Sequence, residues 1–155
     1  MVHAAKSLLK YSDVDKIYFI IEDDVFPYDL PSEIECLNLS NQTYFRPDGP
    51  NYNENLGLTW MVLIRAALPK IFPNLDRILT LDVDTLVRDN ISHMWDIDLD
   101  GYYLAATREE DLSKEEHRDY INMGMAMINL KKWREDGMDD KIIAALDKYF
   151  YRYNE

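Results

Sequence analysis

Cysteine is almost absent: Cys36 is the only one in 155 residues. The chain therefore forms no internal disulfide, and a reducing compartment suits it. No apolar run approaches the ~18 residues that a membrane-spanning helix needs. The segment from Met1 to Tyr11 is short and amphipathic, without the pattern of a secretory leader. Basic residues are also scarce. Seventeen Lys and Arg stand against 29 Asp and Glu, a formal net charge of −12. Such a chain lacks the broad positive field that nonspecific nucleic-acid binding requires. The expected location is the cytoplasm, with peripheral attachment to a membrane left open. Three matches to the glycosylation sequon, at Asn38, Asn41 and Asn90, are read as chance, because the motif matters only in a secreted chain.

What is present is a length sufficient for one domain with a real core, and one informative motif. Arg77-Ile78-Leu79-Thr80-Leu81 reads as a buried strand, and it runs directly into Asp82-Val83-Asp84. Side chains at i and i+2 on a strand share a face, so the spacing predicts that both carboxylates point to one spot at the strand's carboxyl end. Ligands of open α/β sheets bind at such ends. Hard carboxylate oxygens there suit magnesium or manganese carrying phosphates. The bland alternative is a turn or helix-capping role for the same aspartates.

The rest of the chain alternates helix and strand patterns. Helices are predicted over Val2 to Tyr11, Leu58 to Phe72 (ended or kinked by Pro69), Lys131 up to Gly137, and Asp139 to Tyr149, with a short helical turn over Ile91 to Trp95. Strands are predicted over Lys16 to Ile21, Glu35 to Leu39, Arg77 to Leu81, Tyr102 to Ala106 and Met125 to Leu130. A loop rich in Asn, Pro and Gly spans Asn41 to Asn55, and a polar stretch covers Ser113 to His117. The alternation implies an α/β fold with a mainly parallel sheet flanked by helices. No repeat and no linker composition interrupts it, so residues 1–155 are read as a single domain. The chain opens on a helix, whereas a nucleotide-binding α/β fold normally opens on a strand that carries a ligand loop. Trp95 and Trp133 lie in amphipathic segments and are expected in the core. The aromatic tail Tyr149-Phe150-Tyr151-Arg152-Tyr153 offers a route to self-association.

Three blocks in order resemble one family. They are Arg65-Ala66-Ala67-Leu68-Pro69 with Phe72 to Val87, then Asp89 to Leu99, then Tyr120 to Arg134, which includes Asn122-Met123-Gly124. Together they are similar to the glycosyltransferases of family 8, over about Ser7 to Leu146. The resemblance implies a GT-A type α/β fold, a divalent metal (Mn2+, or Mg2+), a UDP-sugar donor, and transfer of a hexose with retention to a glycan, lipopolysaccharide or other lipid-linked acceptor. It assigns Asp82 and Asp84 to the metal, and Arg65, Asp82, Val83, Asp84 and Asn122 to the donor. No catalytic residue is assigned. Arg65 alone reads equally as a surface arginine paired with an acid, and Asn122 as an amide that satisfies a strand end.

The sequence departs from the family pattern at both ends. Nothing before Met1 supplies the family's first strand and its Ala-Ser-Asp-Asp-like loop. Neither the Asp-Gln-Asp-like segment nor the His-x-x-Gly-x-x-Lys-Pro-Trp-like segment is present. His3, His93 and His117 lack that context, and His93 is expected as an exposed loop residue. The fold is therefore expected to be incomplete at both ends, with weak metal binding. Two rival readings remain. One is a noncatalytic or degenerate nucleotide-sugar-binding domain. The other is a phosphatase of the haloacid dehalogenase type, whose Asp-x-Asp-x-Thr pattern is not met because Thr85 follows Asp84 directly.

Overall fold

The computed structural model describes residues 1–46, 59–109 and 121–149. These residues divide into two compact units whose chain segments interleave. Unit 1 holds residues 1–42 and 81–97, and unit 2 holds 43–80 and 98–155.

Unit 1 begins with α1, Val2–Tyr11, followed by β1, Ile17–Ile21, and β2, Ile34–Asn38. The helix forms because Ala4, Ala5 and Leu8 recur at helical spacing and bury one face. It ends where Ser12 turns extended, with the Ser12 N–H still donating to Leu8 O at 2.9 Å. The β-branched and aromatic run of β1 pairs in parallel with β2, Ile17 opposite Ile34 and Ile21 opposite Asn38. Ala5, Phe19 and Ile34 form the buried centre between helix and strands, with Val2, Leu9, Phe26 and Leu30 packed around it. The unit resumes at Leu81 and closes with a 3-10 turn over Ser92–Asp96.

Unit 2 opens, among the described residues, with a 3-10 helix over Trp60–Ala67, whose first turn is capped by Thr59. The short helix α2, Leu68–Ile71, follows. A helix ended or kinked by Pro69 was expected here, and the break falls just before that residue. Pro69 has no N–H to give and is tolerated only in a first turn, so it marks the start of a second helix. Next come β3, Arg77–Leu81, β4, Leu104–Arg108, and β5, Ile121–Asn129, in the spatial order β3-β5-β4. β4 and β5 are antiparallel. The α/β class holds, while the expected parallel pairing is met by β1 with β2 and not by β4 with β5. Helices α3, Leu130–Glu135, and α4, Met138–Lys148, complete the unit. Gly137, at φ +59°, stops α3 in the left-handed conformation that glycine adopts without a Cβ clash.

The core of unit 2 centres on β5 and α3, where Ala126, Met127, Ile128 and Leu130 are fully buried. Trp133 is buried as expected, and its Nε1 donates to Tyr103 O at 3.0 Å. Trp95, in unit 1, is not in the core: it is 42% exposed. Its 3-10 turn buries no residue, so there is no interior for the ring to enter. Among the described residues no helix is long and apolar enough to cross a membrane. The expectations for residues 47–55, for Ser113 to His117 and for the tail beyond Tyr149 lie outside the described residues.

Candidate functional site

Asp82, Val83 and Asp84 sit in unit 1, immediately past the carboxyl end of β3. The strand stops at Leu81, and the Thr85 N–H closes a turn onto Asp82 O at 3.1 Å. The aspartates therefore occupy the first and third positions of a turn and are not alternate positions of a strand. Strand pleat does not aim them at one face. Val83 points outward at 57% exposure, Asp84 is exposed and Asp82 is half-buried.

The turn is held from α1. The nitrogen of Met1 donates to Val83 O at 2.9 Å. Further on, the Val87 N–H donates to Ser7 Oγ at 2.9 Å and the Ile91 N–H donates to Ser12 Oγ at 3.0 Å. Sequence reasoning missed both serines. A helical serine carries no mark of the distant segment it faces. The available signal was a hydroxyl beside the buried Ala4, Ala5 and Leu8.

Other acids of unit 1 follow the carboxyl end of β1. Asp24 Oδ1 accepts from Asn38 Nδ2 at 2.6 Å, and Asp23 Oδ1 from the Val25 N–H at 3.4 Å. His93 is exposed as expected, with Nδ1 3.1 Å from Asn90 O.

Arg65 and Asn122 belong to unit 2. Arg65 lies half-buried in the last turn of the 3-10 helix, and it is engaged within the protein. Asn122 stands exposed at the start of β5. The β4–β5 register jumps there, from Ala106 opposite Ala126 to Thr107 opposite Asn122. Such bulges re-aim side chains and gather near binding sites. The amide of Asn122 is occupied at both ends. Its Oδ1 accepts from the Gly124 N–H at 2.8 Å, and its Nδ2 donates to Glu109 Oε2 at 3.4 Å.

A shallow hollow of unit 2, lined by Asp100, Gly101, Asn129, Lys131, Lys132 and Glu135, contains none of the predicted site residues. Beside it, Asp136 Oδ2 accepts from Lys132 Nζ at 2.9 Å and from Tyr103 Oη at 2.8 Å. Those two bonds, the Lys132 one foremost, hold the Asp136 carboxyl below its usual range. The same carboxylate raises Lys132 and Tyr103.

The chemistry of Asp82 and Asp84 fits a divalent cation. Two solvent-reachable carboxylates on one turn offer hard oxygens of the kind that magnesium and manganese take. Among the described residues no group of three or more acids, histidines or cysteines is placed to hold a metal. A cation here would complete its shell with water or ligand oxygens.

Solved structures share this fold. WbbM, a bifunctional glycosyltransferase, superposes on 94% of the chain with a TM-score of 0.68 at 14% identity, over 32% of its own length. The glycosyltransferase GlyE of Streptococcus pneumoniae does so on 94% at 0.64 and 22% identity, over 34% of its length. The galactosyltransferase LgtC, solved with donor and acceptor sugar analogues, covers 76% at 0.52 and 24% identity, over 47% of its length. The architecture is thus that of the GT-A glycosyltransferases. The sequence profile of glycosyl transferase family 8 matches residues 1–152, and the chain belongs to that family. A putative glycosyltransferase of Haemophilus influenzae is 35% identical over 95 residues, 55% of this chain and 29% of that protein. General stress protein A of Bacillus subtilis is 22% identical over 138 residues, 83% of this chain and 46% of that protein. The chain spans less than half the length of these relatives.

Proposed function

We propose that this chain carries the donor-binding part of a retaining, metal-dependent hexosyltransferase, which passes a sugar from a UDP-sugar to a glycan or lipid-linked acceptor. The observation that carries the reading is the Asp82–Asp84 turn, open to solvent at the carboxyl end of β3 in a family 8 chain. A bound Mn2+ or Mg2+ would supply Lewis-acid stabilisation of the leaving diphosphate. Asp82 and Asp84 would hold it, and the outward Val83 would shape the rim. Arg65 offers a planar, bidentate contact for a phosphate. Asn122, re-aimed by the β5 bulge, offers an amide to sugar hydroxyls once the Glu109 bond is exchanged. The name of the LgtC relative supports galactose, with glucose the other candidate. The reading places the enzyme in the cytoplasm, with any membrane contact peripheral.

A second reading is a nucleotide-sugar-binding module without turnover. It is favoured by the two-carboxylate site, which lacks a third acid or histidine among the described residues. Two assays separate the readings. Calorimetry with Mn2+ and UDP is expected to show binding that an Asp82→Asn, Asp84→Asn double variant loses. Release of UDP from UDP-galactose or UDP-glucose, over a panel of glycan acceptors, then divides enzyme from module. Equal binding by the parent and the double variant would refute the assignment of the two aspartates.

A further inference from the structure

The segment that follows the two aspartates runs along α1 in the same direction as the helix. Contacts fall at Met1 with Val83, Ser7 with Val87 and Ser12 with Ile91. The two serine bonds share one chemistry. In each, a side-chain hydroxyl of the helix accepts a backbone N–H that no strand or helix of its own serves. Val87 is 7% exposed, so its N–H has little water to turn to. The geometry at Ser7 is the more constrained of the two. Its hydroxyl proton goes to Ala4 O at 2.7 Å, which turns the oxygen's lone pairs outward to meet Val87. Ser12 is 8% exposed and caps the end of the same helix, so its oxygen is fixed by packing as well.

Within the turn, the Met1 nitrogen holds Val83 O and Asp82 is engaged within the protein. The side chains of Val83 and Leu86 are both mostly exposed, so their burial does not hold the chain that leads to Val87. The bond across Asp82 and Thr85 sets the local turn but does not fix where the turn stands. Val87 is the first buried residue after the aspartates, and Ser7 holds its N–H.

We propose that Ser7 is a positioning residue for the nucleotide-sugar site: by holding Val87 it fixes the outgoing end of the turn that carries Asp82 and Asp84, whose middle the Met1 nitrogen holds. This role rests on the reading of the two aspartates given above. Ser12 extends the same hold to Ile91. Both serines act on backbone N–H groups outside the Asp82–Asp84 turn. Outer groups that orient metal ligands typically change metal affinity by about 10- to 100-fold when removed.

The test uses the full chain with three substitutions. Ser7→Ala removes the acceptor, Ser7→Thr keeps a hydroxyl, and Cys36→Ala trims the packing of unit 1 without touching the turn. Two readouts are taken: affinity for Mn2+ with UDP by calorimetry, and deuterium uptake over residues 82–87 by mass spectrometry. Ser7→Ala is expected to weaken Mn2+–UDP binding by roughly tenfold and to raise uptake over 82–87, leaving β1 and β2 unchanged. Ser7→Thr is expected to restore both, and Cys36→Ala to alter neither. If Ser7→Ala leaves uptake over 82–87 and the affinity at parental values, the proposal is overturned while the reading of the aspartates survives. A loss of affinity of the same size in Cys36→Ala also overturns it, because general destabilisation would then explain the effect. If the parent itself binds no Mn2+–UDP, the reading of the aspartates fails and the positioning role falls with it.

Discussion

Arg134, in α3, offers a prediction that can be worked from geometry. Its guanidinium donates to Phe72 O at 3.2 Å and to Leu75 O at 2.8 Å, and thereby holds the loop that enters β3. Its distance to Asp76 Oδ1, 3.9 Å, adds little, since that carboxylate is 78% exposed. A hydrogen bond from a charged donor contributes roughly 1.5–3 kcal/mol when buried. The Arg134 side chain is 27% exposed, so water can partly replace it at both carbonyls. We take about 1 kcal/mol for each bond, hence about 2 kcal/mol lost in Arg134→Ala. With a urea slope of about 2 kcal/mol/M, the midpoint should fall by about 1 M. Arg134→Lys tests the fork itself. A point-like ammonium cannot serve two divergent carbonyls as a planar guanidinium does, so about half the loss should remain. The assay is urea unfolding followed by tryptophan fluorescence. An Arg134→Ala midpoint within about 0.2 M of the parent, or full recovery in Arg134→Lys, would refute the reasoning.

Two further outcomes are expected. Lys70 Nζ lies 2.7 Å from Asp140 and 3.5 Å from the buried Asp139, and the hydrogen bond to Asp140 raises its pKa. Lys70→Ala should leave Asp139 without this cation and cost roughly 1–2 kcal/mol, measured by thermal or urea melting. Asp136→Asn should make the pH dependence of stability shallower at both extremes. The lowered Asp136 carboxyl stabilises the fold above its ordinary 3.8 and loses that effect as pH falls through its folded value. The raised Lys132 and Tyr103 stabilise it below their ordinary 10.5 and 10.0 and lose that effect as pH rises through their folded values. The parent and the variant should therefore differ most between about pH 4 and pH 10 and converge outside, in melts run across pH.

Much of the fold was legible because its signals are local. The Ala4, Ala5 and Leu8 spacing fixed α1 over Val2–Tyr11, and the apolar run over Arg77–Leu81 fixed β3 to the residue. The strands with displaced bounds are those shaped by their neighbours. β5 starts at Ile121, four residues before its apolar run, because past the register break Asn122 and Ile121 pair with Thr107 and Arg108. β4 starts at Leu104 because the turn at Gly101, φ +78°, and the Tyr102 N–H bond to Leu99 O use up the residues before it. The same division runs through the site. Asp82 and Asp84 were visible from the strand that leads to them. That they ride on a turn was not, because a turn is decided by which carbonyl the next N–H finds. Ser7 and Ser12 were invisible, since their partners lie 80 and 79 residues away.

The interleaving of the two units sets an order of events during synthesis. Helix α1, β1 and β2 leave the ribosome before residues 81–97, and they can pack Ala5 against Phe19 and Ile34 at once. Val87 arrives 80 residues after Ser7. At ~5–20 residues per second that is a wait of about 4 to 16 s. Through that interval the hydroxyls of Ser7 and Ser12 can be solvated by water, until residues 81–97 return to unit 1. The Asp82–Asp84 turn is thus placed late, onto a helix and sheet already formed. A pause in translation before residue 81 should leave α1, β1 and β2 packed together with no seat for a cation.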